Sequence, residues 1–254
     1  MLQVELIPAL SDNYMFLLFD SVTNTSGVVD PADAGGVLAA LERHGRKLDW
    51  IINTHHHADH TAGNAELKAE TGARLAGPAA ERQRIPDMDV LLAEGDHLDF
   101  GSQRAVVLET PGHTRGHISL YFPQSKMLFS GDTLFALGCG RLFEGTLEQM
   151  WHSLSKYASM PDETAVYCGH EYTLSNARFA LSVDPDNELL IRRAAEIDGE
   201  RRRGEPTIPT TLGLERQTNP FLRPGDPAIR ARLGMQRASN AEVFAEIRKR
   251  KDSF

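Results

Sequence analysis

Apolar residues recur with strand-like alternation and β-branched content over Gln3 to Ile7, Tyr14 to Phe19 and Gly27 to Val29, which predicts three strands. The apolar run from Leu48 to Ile52, in which Asp49 is the one polar residue, reads as a buried strand. Ala105 to Leu108, Met127 to Phe129 and Thr164 to Tyr167 predict three more. Helical spacing appears at Val37, Leu38 and Leu41, over Thr61 to Lys68, and at Met150, Trp151 and Leu154 behind the capping box Thr146-x-x-Gln149. Strands and helices thus interleave, with Gly, Asp and Pro in the turns, and the pattern predicts an α/β fold of sheets covered by helices. It does not choose between two packed sheets and a doubly wound sheet.

The character of the chain changes after about Tyr172. Asn187 to Arg203 is a helix candidate with Leu190, Ala194 and Ile197 on one face, and Ser239-x-x-Glu242 caps a second with Val243, Phe244 and Ile247. Pro206, Pro209, Pro220, Pro224 and Pro227 interrupt regular structure between them. The expected organisation is a domain over residues 1–170 and a small helical domain over 171–254, folded back over a cleft. There are no internal repeats or low-complexity tracts.

Composition narrows the function classes. A content of 41% hydrophobic and 24% charged residues is ordinary for a soluble globular protein. Two cysteines, Cys139 and Cys168, supply no disulfide framework. No stretch has the make-up of a signal peptide or a membrane span, so a cytoplasmic location away from membranes is expected. Residues 1–170 hold 12 Lys and Arg against 22 Asp and Glu, a balance of −10, while 171–254 hold 15 against 13. An acidic larger half suits divalent cations and is a poor surface for nucleic acid.

Candidate chemistry is concentrated at strand ends. Thr54-His55-His56-His57-Ala58-Asp59-His60 follows the Leu48–Ile52 strand and packs four histidines and an acid into a strand-to-helix turn. Imidazole nitrogens and carboxylate oxygens at that density are what a transition-metal site needs. Thr110-Pro111-Gly112-His113 follows another strand, Ser130-Gly131-Asp132 a third, and Cys168-Gly169-His170 a fourth. Each places a donor group where a cleft could collect it.

This order and spacing resemble the metallo-β-lactamase superfamily, whose signature is His-x-His-x-Asp-His followed by His, Asp and His. A narrower likeness is to the glyoxalase II, or hydroxyacylglutathione hydrolase, family. It rests on Gly138-Cys139-Gly140-Arg141-Leu142-Phe143-Glu144-Gly145, Gly169-His170-Glu171-Tyr172-Thr173, Asn219-Pro220-Phe221-Leu222-Arg223 and Arg248-Lys249-Arg250-Lys251-Asp252. The resemblance implies an αββα sandwich with a small C-terminal helical domain. It also implies two divalent ions per chain, zinc in the first instance, with iron or manganese as alternatives. By the family pattern His55, His57 and His113 hold one ion, Asp59, His60 and His170 the other, and Asp132 bridges both. In an extended segment His55 and His57 point the same way and His56 away, which agrees with that division. His97 and His117 fall outside it, and neither cysteine matches a ligand position.

Two such ions about 3.5–4 Å apart can share a water and make it hydroxide near neutral pH, which removes any need for a serine or cysteine nucleophile. The resemblance implies hydrolysis of S-(2-hydroxyacyl)glutathione, typically S-D-lactoylglutathione, to glutathione and D-lactate, the second step of methylglyoxal detoxification. Asp59 and Asp132 would hold the attacking hydroxide. Arg141, Phe143 and Tyr172 stand where that family contacts the glutathione backbone, and Arg248 and Lys251 where it pairs with the carboxylates. Some members have Lys at the position of Arg141, which keeps the charge, and Tyr at Phe143, whose hydroxyl is lost here. A monomer acting on a small glutathione thioester is expected.

The same residues bear on three rival functions. A persulfide dioxygenase of the superfamily uses one metal, and the full set Asp59, His60 and His170 argues against it. The −10 balance argues against a metal-dependent nuclease. A non-catalytic metal-binding module would be expected to lack a ligand, and none is missing.

Overall fold

The computed structural model describes residues 2–254. It divides into two compact units, one of residues up to Glu109 with Arg115–Gly131, the other of Thr110–Thr114 with Asp132–Phe254.

The first unit opens with β1 (Leu2–Ala9), β2 (Asn13–Asp20) and β3 (Ser26–Val29), then α1 (Gly35–His44) and β4 (Trp50–Ile52). After these come α2 (Ala58–Thr61), α3 (Asn64–Thr71), β5 (Arg74–Pro78) and β6 (Val90–Leu92). β1, β2 and β3 pair antiparallel, while β3, β4, β5 and β6 pair parallel, giving one six-stranded mixed sheet. β7 (His97–Phe100), β8 (Gln103–Glu109), β9 (Ile118–Phe122) and β10 (Met127–Gly131) follow as an antiparallel meander.

The period-two rule explains why β2 is buried at every residue. Met15, Leu17 and Phe19 face one way and join Val37, Leu41 and Leu67 of the helices in one core. Phe16 faces the other way and meets Phe129 of β10 at 5.8 Å between centroids. Phe122 continues that layer at 5.9 Å from Phe129, and Phe100 at 6.2 Å from Phe122. Each such ring contributes roughly 1.5–3 kcal/mol by leaving water. Sheet packs on sheet, with helices on the outer face of the first, and the doubly wound alternative is excluded.

One predicted helix is divided. The Thr61–Lys68 segment lies across α2 and α3, which break at Ala62 and Gly63. A Cβ at Gly63 would come within 2.8 Å of the Asp33 backbone, so only glycine lets the chain pass there.

The second unit contains β11 (Leu134–Phe135), β12 (Gly138–Cys139), α4 (Leu147–Ser155) and β13 (Ala165–Cys168). Beyond them lie α5 (Thr173–Val183), α6 (Glu188–Arg202), β14 (Thr210–Thr211), α7 (Leu212–Thr218), α8 (Pro227–Leu233) and α9 (Asn240–Asp252). Both capping boxes form, at Thr146 with Gln149 and at Ser239 with Glu242. The predicted face of α6 is present: Leu190 and Ile197 pack with Leu137, Ala177 and Ala180, with Ala194 alongside. α5, α7 and α8 carry no strong signal of their own. Pro227 does not interrupt a helix but starts one, at the first position behind the cap Asp226, where a proline's missing N–H costs nothing. Among the described residues no helix is long and apolar enough to cross a membrane.

Candidate functional site

In the first unit the ligand-type residues sit on the turns that leave β3 and β4. Asn53, just past β4, anchors the turn by donating to the His60 carbonyl at 2.9 Å. Asp30, just past β3, is buried and accepts from the Thr54 N–H and hydroxyl, each at 2.7 Å. The Thr54 hydroxyl spends its one proton on Asp30. The His55 Nδ1 at 3.0 Å must therefore donate to it, which in the neutral ring puts the lone pair on Nε2. That Nε2 lies 3.1 Å from His57 Nδ1. His60 Nδ1 faces Asp30 Oδ2 at 3.1 Å, which turns His60 Nε2 towards Asp59 Oδ2 at 3.6 Å. Asn13 holds that same Asp59 oxygen at 3.0 Å. Asp30, His55 and His60 together offer ligand atoms within 4.8 Å of one another.

His56 points elsewhere, with its Nδ1 at 3.0 Å from the buried Glu81. Glu81 also accepts from the Gly116 N–H at 3.2 Å. His117 is buried and stacks on His55 at 5.0 Å, and His97 is exposed on β7.

In the second unit Asp132 is the focus. His113 Nε2 and His170 Nε2 each lie 3.3 Å from the same oxygen, Asp132 Oδ2. All three residues are buried. His113 Nδ1 lies 2.8 Å from the Arg141 carbonyl, which can only accept, so the ring donates there, and the neutral tautomer with that proton carries its lone pair on Nε2. Neutral imidazoles locked in one tautomer by a carboxylate or carbonyl are what metal ligation requires.

The remaining predicted residues surround this group unevenly. Phe143 is exposed and sets its ring against His113 at 5.2 Å. Tyr172 stacks flat on His170, 4.7 Å apart with 3° between planes. Arg141 projects outwards, its Nε 3.7 Å from Asp252. Lys251 donates to the Ser175 hydroxyl at 3.1 Å, and its Nζ lies 5.4 Å from the ring centroid of Phe179 and 5.5 Å from that of Phe254. Burial, assisted by the positive charge of Arg248, lowers its pKa to about 8. Arg248 itself is turned inwards, 4% exposed, and donates to the Cys139 carbonyl at 2.8 Å. Burial pushes the Cys139 thiol up to about 11 and that of Cys168 to about 12, so both stay protonated at neutral pH.

Asp30 and Asn13 escaped the sequence reading. A signal for Asp30 was available: Val28-Val29-Asp30-Pro31 places an acid directly after an apolar strand, as Phe129-Ser130-Gly131-Asp132 does. Asn13 carries no such mark.

Residues 16–170 match the family model for the metallo-β-lactamase superfamily, and residues 171–254 match that for the hydroxyacylglutathione hydrolase C-terminus. A protein from Maricaulis maris named hydroxyacylglutathione hydrolase is 53% identical over 253 residues, spanning 100% of this chain and 99% of its own length. One of the same name from Rhizobium etli is 54% identical with the same coverage. The chain belongs to the hydroxyacylglutathione hydrolase family of the metallo-β-lactamase superfamily. Solved structures agree on the fold. ETHE1 from Myxococcus xanthus superposes with a TM-score of 0.70 at 25% identity, covering 98% of this chain and 90% of that one. TTHA1623, solved in a di-iron-bound form, gives 0.60 at 27% identity, covering 85% of this chain and 98% of that one. The metallo-β-lactamase fold implies a binuclear divalent metal site, and the family's donors here are histidine nitrogens and carboxylate oxygens. The tautomers derived above fit such ions.

Proposed function

We propose that this protein hydrolyses the thioester of S-(2-hydroxyacyl)glutathione, S-D-lactoylglutathione above all, to glutathione and the 2-hydroxy acid. This is the second step of methylglyoxal detoxification. The observation that carries the reading is the full-length identity with hydroxyacylglutathione hydrolases, which extends through residues 171–254.

His55, His57 and His113 would hold one divalent ion, Asp59, His60 and His170 a second, and Asp132 both. Zinc is the first expectation, with iron or manganese compatible with the same nitrogen and oxygen donors. Such a pair, when bound, acidifies a shared water and polarises a carbonyl. The chain's own residues prepare that chemistry. Asp30 and Thr54 hold His60 and His55 in the metal-binding tautomer, and the Arg141 carbonyl does so for His113. Asn13 restrains Asp59.

Recognition of glutathione falls to the second unit. The guanidinium of Arg141 offers a fork to a carboxylate, and Lys251 a point charge. Tyr172, stacked on His170, and Phe143, set edge-on with His113, are apolar rings that would shield the thioester from water. A thiolate whose acid has a pKa of about 8.5 leaves without a proton, so no general acid is required of the chain. The 1–170 and 171–254 division, a monomeric state and a cytoplasmic location belong to this proposal as well.

The test is loss of thioester from S-D-lactoylglutathione with metal-loaded protein. Turnover that stops on chelation and returns with zinc is expected. Absence of turnover in protein holding two metals per chain would overturn the glutathione assignment.

A further inference from the structure

We propose that Asp252 and the inward-turned Arg248, at the end of α9, form a clamp on Cys139–Arg141 that sets the ring of His113. The proposal deepens the metal-ligand reading above and rests on it.

Three consecutive residues of the clamped segment are each tied down. Cys139 is held through its carbonyl by Arg248 Nη1 at 2.8 Å. Gly140 donates to the Thr133 carbonyl at 3.2 Å and is pressed onto Asp132, where a Cβ would lie 1.9 Å from the carbonyl oxygen. Arg141 presents its carbonyl to His113 Nδ1 at 2.8 Å. The segment therefore abuts two proposed ligands with no slack, and a shift at Cys139 is passed to the Arg141 carbonyl one residue on.

The other end of the clamp is equally specific. Arg248 Nη2 donates to Asp252 Oδ1 at 2.9 Å, and that same oxygen lies 3.7 Å from Arg141 Nε. Asp252 thus fixes the guanidinium that holds Cys139 and approaches the side chain of Arg141. The Arg248 guanidinium rests over Phe221 at 5.1 Å, and its buried Nε has no hydrogen-bond partner. Its direction is set by the two Nη contacts, so losing either should let it swing. Arg248 and Asp252 are positioning residues in this account, acting on the metal through backbone.

Asp252→Ala is the cleaner perturbation. Alanine is the better helix former, and the change removes a negative charge from the negative end of the helix dipole. It also removes the i,i+4 pair with Arg248 inside α9, so the urea midpoint is read beside the zinc-release rate to separate a loosened helix from a lost clamp. Arg248→Lys is the second variant, since an ammonium cannot reach both partners in the fork geometry. Glu246→Gln, which breaks an exposed pair with Arg250 on the same helix, is the control. Zinc-loaded protein is mixed with dipicolinate without substrate, and the rate of zinc transfer is followed together with kcat, KM and urea midpoint.

About tenfold faster zinc release is expected for Asp252→Ala and Arg248→Lys, with Glu246→Gln unchanged. Wild-type release rates in both variants beside a raised KM would overturn the clamp and leave these residues as substrate contacts only. Equal acceleration in Glu246→Gln would also overturn it. A wild-type chain that retains no zinc would instead overturn the ligand assignment beneath it.

Discussion

Asp30→Asn isolates one hydrogen-bonding oxygen and should expose how the second proposed ion is held. Asp30 lies at φ 51°, a left-handed conformation that asparagine tolerates as well as aspartate, so the backbone is not disturbed. The amide oxygen can replace Oδ1 and keep the Thr54 N–H at 2.7 Å. The amide nitrogen then stands where Oδ2 accepted from Thr54 Oγ1 and His60 Nδ1. Thr54 can reverse its hydroxyl and accept. His60 cannot keep its proton on Nδ1 against a donor, and must move it to Nε2, the nitrogen that faces Asp59. That tautomer cannot ligate.

Two magnitudes follow. Replacing charge-assisted bonds by neutral ones should lower apo-protein stability by about 1.5–3 kcal/mol. Losing the carboxylate behind a histidine ligand should weaken metal binding about 10–100-fold. Urea titration of the apo protein reads the first, and competition for zinc against a chelator the second. Asp30→Asn binding zinc as tightly as wild type would refute the tautomer argument, even if stability fell.

Gly140→Ala must displace either Asp132 or the Cys139–Arg141 segment, because its Cβ has no room; kcat/KM should fall roughly a hundredfold with far-UV circular dichroism unchanged. Near-native turnover would show that the segment yields. Lys251, with its pKa lowered to about 8, loses its positive charge as pH rises through that value. The kcat/KM of wild type should therefore decline above about pH 8, and the Lys251→Met profile should lack that limb. Identical profiles would remove Lys251 from recognition. Phe16→Ala empties the layer between the sheets and should cost about 3–5 kcal/mol. Calorimetry should then show a melting point lower by about 10 °C, and a change under 2 °C would deny Phe16 that role.

Local pattern carried far into this protein. The alternation over Tyr14–Phe19, the two capping boxes and the apolar face of α6 all rest on neighbours within a turn or two of chain, and all are present. The same holds for the His55-x-His57-x-Asp59-His60 string, whose spacing is itself the signal. What the pattern could not rank was the break at Gly63 and the three unmarked helices α5, α7 and α8. Their boundaries depend on a close backbone approach and on packing partners far along the chain.

The site divides along the same line. Residue type and order were enough to name His55, His57, Asp59, His60, His113, Asp132 and His170 as candidate ligands, because metal chemistry restricts the donors to a few side chains. Which nitrogen of His55, His60 and His113 carries the proton in the neutral ring was decided by partners 24 to 30 residues apart in the chain: Asp30 for Thr54 and His60, the Arg141 carbonyl for His113. The direction of Arg248 was decided across 109 residues, where the carbonyl of Cys139 turned inwards a charge that a basic tail would leave in solvent. Donor identity is a property of the residue, whereas tautomer, burial and aim belong to hydrogen bonds that exist only once distant backbone has been brought together.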